Sequence, residues 1–123
     1  NTGVFRYVYE TKAANVKDGL SKTIFLGEVA AGSTRESSNR WTAAGRHSDT
    51  LRTTLNAINT PPGTGIVTNL YGYKVNGCFG SDHTGGAFFA FGDTRTTFIQ
   101  DEIDQKIYNA IATRAGGEDA SYT

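Results

Sequence analysis

Residues 86–99, GAFFAFGDTRTTFI, constrain the fold more than any other stretch of the chain. Two short runs of aromatic and β-branched residues flank Gly92, Asp93 and Thr94, a connection of hairpin length, so Asp93 reads first as a turn residue. HTGG (83–86) leads into the first run with Gly85 and Gly86, where the backbone must bend or approach another strand closely. His83 then falls about eight residues, roughly 25 Å, from the turn along a straight strand, too far for contact with Asp93 within one flat hairpin. The two are expected to be separate structural fixtures, not a catalytic dyad.

The same periodicity recurs in VFRYVYE (4–10), TIFLGEVA (23–30) and LYGYKV (70–75), each bounded by turn-forming residues. Fifteen glycines and many threonines point the same way. One segment reads as helix: in IDQKIYNAIATRAGG, Asp104 can cap the first turn, Ile103 and Tyr108 can staple it, and Ile107 with Ile111 share a face. The helix is expected over about 105–115, with Arg114 in its last turn and Gly116 as the left-handed residue that ends it. KAANVKDGLSK (12–22) has room for one further turn. Loops are expected at 31–40 and at 59–65, where Pro61 and Pro62 exclude both helix and central strand. The expected fold is α+β and mostly β, an antiparallel sheet with one C-terminal helix packed on it, in a single domain spanning 1–123.

Charge and composition remove several function classes. Twelve basic and twelve acidic residues cancel without long runs of either sign, leaving no electrostatic footprint for nucleic acid or anionic lipid. No stretch reaches the ~18 consecutive apolar residues of a membrane span. The lone Cys78 cannot form an internal disulfide and reads as a small buried thiol. No asparagine begins an N-x-Ser/Thr sequon. The chain contains no methionine, so Asn1 is expected not to mark the start of translation.

The apparent chemical motifs dissolve one by one. TPPGTGIV (60–67) resembles a phosphate-binding loop, but Thr60 replaces its first glycine, and Ile66 and Val67 stand where lysine and the magnesium-binding hydroxyl belong. RHSD (46–49) sets arginine, histidine, serine and aspartate side by side, whereas a nucleophile, base and orienter must converge in space. There is no Gly-x-Ser-x-Gly elbow. The acidic QDEID (100–104) and Asp82 do not match a calcium-loop spacing and read as a solvated turn followed by a helix cap. Two histidines 36 positions apart and one cysteine supply few zinc ligands. No catalytic, cofactor or metal residues are assigned.

VFRYVYETKAANVKDGLSKTIFLGE, followed later by GCFGSDHTGGAFFAFGDTRTTFIQDEIDQKIYNAIATRAGGE, resembles the C-terminal region of a bacterial prepilin-like family. The family, DUF1559, is abundant in planctomycetes and marked by a histidine, nine residues and Asp-Gly. His83 and Asp93 match the marker; Asp18-Gly19, Ser21, Thr23, Gly27-Glu28, Phe79-Gly80-Ser81, Gly85-Gly86, Ile103-Asp104 and Arg114-Ala115-Gly116-Gly117 match the surrounding pattern. The variable middle, about 31–70, lies outside it. Thr94 stands where the family has glycine; a β-branched residue in a left-handed turn costs about 1–2 kcal/mol, so another turn type or a longer loop is expected. Family members open with a basic leader and a hydrophobic pilin helix, which the sequence as given does not show.

The resemblance implies a product related to type IV pilins and type II secretion pseudopilins, at the cell surface or outside the cell, without catalytic residues. The leading expectation is therefore a non-enzymatic subunit of an extracellular or cell-surface filament. Without a bundling helix, a homopolymer would use strand edges or an inserted terminal segment. Val4, Phe5 and Tyr7 in the first run, and the tail EDASYT (118–123), are the candidate connectors. The alternatives are a secreted or periplasmic module binding a glycan or peptide through Trp41, Tyr71 and Tyr73, or a fragment of a membrane-anchored pseudopilin; an enzyme ranks last.

Overall fold

The computed structural model describes residues 3–5, 9–29, 51–69 and 76–117. The strand expected at LYGYKV, the loop at 31–40, the RHSD segment, the tail and Tyr7, Trp41, Tyr71 and Tyr73 all lie outside the described residues.

Among the described residues, three strands form one antiparallel sheet in the order β1, β2, β3: β1 is Ile24–Gly27, β2 Gly86–Phe91 and β3 Thr96–Gln100. An α-helix, α1 (Gln105–Ile111), follows β3. The fold is thus small α+β with the sheet dominant, and no helix among the described residues is long and apolar enough to cross a membrane. The expected turn in 12–22 is present twice, as short 3-10 segments at Ala13–Asn15 and Leu20–Lys22. The first run departs from expectation. Residues 3–5 bend, residues 9 and 10 are irregular, and no strand forms among the described residues of VFRYVYE.

By contact the chain divides into two compact units. The first takes the described residues of 1–27, 88–99 and 103–123; the second takes those of 28–87 and 100–102.

In the first unit the sheet buries one face. Phe89, Phe91 and Ile99 are almost fully enclosed together with Tyr108 and Ile111 of α1, and the Phe89 and Tyr108 rings meet edge to face at 6.2 Å. Alternation along β2 sends Phe88 and Ala90 to the other face. Leu26 breaks the period-two rule: it lies two residues after buried Ile24 yet is 65% exposed. The cause is an irregularity in the β1–β2 register, which jumps from Ile24 opposite Phe91 to Leu26 opposite Ala90. One extra residue on β1, Phe25, acts as a bulge and turns the side chains after it to the opposite face. Leu26 thereby joins Ala90, Phe88 and Phe98 on the outer face, where the last two rings pack at 5.1 Å.

The hairpin between β2 and β3 has a three-residue loop. The Phe91 amide donates to the Arg95 carbonyl at 2.9 Å, and the Thr94 amide donates back to the Phe91 carbonyl at 3.0 Å. A turn of this kind needs its third residue left-handed, and Thr94 has φ 75°. The expectation that threonine would force a different or longer turn is overturned: the loop keeps the glycine geometry and Thr94 carries the strain. Asp93 holds it in place, Oδ1 accepting from the Arg95 amide at 3.0 Å, while Arg95 lies 4.2 Å over the Phe91 ring and donates to the Ser21 carbonyl. Gly92 is required by space, since a Cβ there would fall 2.7 Å from the Phe25 ring.

At its start α1 behaves as expected: Asp104 Oδ1 accepts from the amides of Lys106 and Ile107. Its end does not. The helix stops at Ile111, tightens through bonds from Ala112 to Asn109 and Thr113 to Ala110, and the left-handed glycine is Gly117 (φ 72°), not Gly116.

Candidate functional site

Local polar centres in each unit hold several of the residues that stand out in the sequence. In the first unit the centre is Asp18. Its Oδ2 accepts from the Gly116 amide at 2.9 Å and from the Thr113 hydroxyl at 3.1 Å, and its Oδ1 accepts from the Gly117 amide at 2.8 Å. Its own amide donates to the Arg114 carbonyl at 3.1 Å. A carboxylate gripping consecutive backbone amides is a charge-assisted clasp, and this one fixes the chain beyond the end of α1. Arg114, outside the helix, donates to the Gly3 carbonyl at 2.8 Å. Val4 beside it is 7% exposed, whereas Phe5 is 57% exposed and stacks edge-on against Phe25 at 6.1 Å. Of the candidate connectors, Val4 is therefore part of the chain's own core and Phe5 is at the surface.

The second unit is organised around short polar side chains. Ser81 donates its hydroxyl to the Gly86 carbonyl, accepts from the His83 amide at 3.1 Å, and its amide donates to Asn59 Oδ1 at 2.8 Å. Gly80 must be glycine for the same reason, as a Cβ would sit 2.9 Å from that Asn59 oxygen. His83 turns back to Glu28, Nε2 to Oε1 3.5 Å, with both side chains well exposed. Gly85 has φ 84° and its carbonyl accepts from the Asp101 amide. His83 precedes β2 by three residues and Asp93 follows it by two, so each serves its own turn.

Deeper in this unit, Asn56 and Asn76 are 1% and 5% exposed. Asn56 Oδ1 accepts from the amides of Ile66 and Val67, while its Nδ2 donates to the carbonyls of Val67 and Asn76. That satisfies the side-chain amide fully. The loop that resembles a phosphate cradle is thus filled from within, with two of the amides that would face an anion already committed to Asn56. Asn76 Nδ2 sits 2.9–3.3 Å from the carbonyls of Thr60, Pro61 and Thr64, and its Oδ1 accepts from the Cys78 amide. The Cys78 thiol donates to the Thr60 carbonyl at 3.2 Å; burial pushes its pKa above the ordinary thiol range, which makes it a poor nucleophile at neutral pH. The sequence reading missed both asparagines. The available signals were Asn76-Gly77 as a turn dipeptide and the spaced glycines Gly63 and Gly65, both left-handed.

The family described as "Protein of unknown function (DUF1559)" has a sequence profile that matches residues 1–106. The chain belongs to the DUF1559 family. The match takes in the His83 to Asp93 stretch and closes inside α1, so the Thr113 to Gly117 half of the Asp18 clasp lies beyond it. Neither the curated proteins nor the solved structures provide a match. Within this DUF1559 chain, Asp18, Ser81, His83, Asp93 and Asp104 are spread over separate turns and caps, and the bonds described for them tie their own chain together.

Proposed function

We propose that this DUF1559 chain is a non-enzymatic, pilin-like structural subunit of an extracellular or cell-surface filament, assembled from copies of itself. The observation that carries the reading is how its polar residues are used: the serine, histidine and aspartates of the family pattern make turns, caps and clasps instead of converging on a common point. A chain built this way presents a frame. The sheet supplies a means of association, since among the described residues β1 is an outer strand in the order β1, β2, β3, and the face it shares with β2 and β3 exposes Leu26 and Phe88. A second copy that pairs with that strand would cover Leu26 by main-chain hydrogen bonding and apolar contact together.

Sedimentation of the purified chain over a range of concentrations tests this, with Leu26→Lys and Phe5→Glu as probes at exposed positions. The expected result is concentration-dependent assembly that Leu26→Lys abolishes without lowering the thermal midpoint. A chain that stays monomeric at high concentration, or assembly indifferent to both substitutions, would count against the strand-edge route. Substituting Val4 is not a useful probe, because a charge there would unfold its own core.

A further inference from the structure

Asn76 is followed by Gly77, the only Asn-Gly pair in the chain. Such pairs are the chemically weakest peptide links to asparagine, because glycine leaves the following amide unhindered and asparagine is thermolabile in general. The reaction requires the Gly77 amide nitrogen, having lost its proton to base, to attack Asn76 Cγ. The Cγ–Nδ2 bond then breaks, ammonia leaves, and water opens the cyclic succinimide at either carbonyl to give aspartate or isoaspartate.

Here that attack is obstructed from both sides. Nδ2 is held among the carbonyls of Thr60, Pro61 and Thr64, and Oδ1 accepts from the Cys78 amide. The Gly77 peptide is itself anchored, its carbonyl accepting from the Thr53 amide at 2.8 Å. Asn76 is almost fully buried, and its carbonyl accepts from Asn56. Swinging Cγ onto the Gly77 nitrogen breaks all of these side-chain bonds at once.

We propose that Asn76-Gly77 is a modification site that the fold holds shut, so that opening of the 56–67 loop exposes Asn76 to irreversible conversion to aspartate or isoaspartate. Loss of ammonia makes the step irreversible, and the acceptor set makes it structurally consequential. Asn76 Nδ2 shares its two donor hydrogens among three carbonyl oxygens, and a carboxylate at that place would offer only acceptors to acceptors. A converted chain cannot rebuild the same cage. Across a population, the converted fraction reports the accumulated time spent open.

Peptide mapping by mass spectrometry tests the proposal, with the chain held at alkaline pH either native or in denaturing urea. Conversion at Asn76 should be slower in the native chain by about a hundredfold or more, the penalty expected when reaction waits for local opening. Asn56→Ala, which removes the neighbouring anchor, should bring the native rate towards the urea rate. If that variant does not fold, urea concentrations just below the unfolding transition serve instead and should accelerate conversion in step with opening. Asn76→Asp, a mimic of the product, should unfold at clearly lower urea than the parent chain. Equal rates with and without urea, or an Asn76→Asp chain as stable as the parent, would overturn the proposal.

Discussion

Thr94 shows how much one residue can carry against its own preference. Its φ of 75° is a conformation that a β-branched side chain resists, and the hairpin keeps it because Asp93, the Phe91 amide and the Arg95 carbonyl fix the loop around it. Replacing the strained residue should therefore help: Thr94→Gly is expected to stabilise the chain by about 0.5–1 kcal/mol, the relieved strain exceeding the added freedom of the unfolded glycine. A urea titration reads this directly as a higher midpoint at unchanged slope. Asp18 is the opposite case. Asp18→Ala removes the acceptor for two backbone amides and should destabilise by about 1–3 kcal/mol, with hydrogen exchange at Gly116 and Gly117 accelerating ahead of exchange in β2. The turn role of Asp93 and the cap role of Asp104 were legible in the sequence because both act within three residues of themselves. Asp18 was legible only as a matched position, since the amides it grips lie 98 and 99 positions away.

At the level of elements, locality again decides what could be read. The limits of β2 and β3 follow from aromatic and β-branched runs cut by Gly92 and Asp93, and the start of α1 follows from its cap. The end of α1 did not: the helix tightens at Ala112 and Thr113, and the residues expected to complete it are held instead beside Asp18. Nor did the facing of β1: an alternating pattern puts Ile24 and Leu26 together, and only the bulge at Phe25 separates them. That separation is measurable. Ile24→Ala should cost about 2–4 kcal/mol by opening a cavity in the core, whereas Leu26→Thr, on the exposed face, should stay within about 0.5 kcal/mol of the parent. Thermal unfolding of the two variants side by side checks the assignment, and similar losses at both positions would mean that β1 has no bulge. The asparagine cage of the 56–67 loop was hidden for a different reason. A buried asparagine in a glycine-rich loop has the same sequence appearance as a solvated one, and its environment is set by the backbone carbonyls it meets.

For the molecule as a whole, the chain belongs to the DUF1559 family and its described fold is small α+β with the sheet dominant. Asp18, Ser81, Asp93 and Asp104 of the family pattern hold turns, caps and a clasp, while among the described residues the sheet has an outer strand and an apolar outer face. A filament subunit needs those two properties, a frame that keeps its shape and an edge that accepts a neighbour. The most direct measurement is immunogold electron microscopy of the native source with antibodies raised against this chain. Gold particles along ordered filaments at or beyond the cell surface are the predicted result. Label dispersed through the cell interior, or over a surface that carries no filaments, would contradict the account.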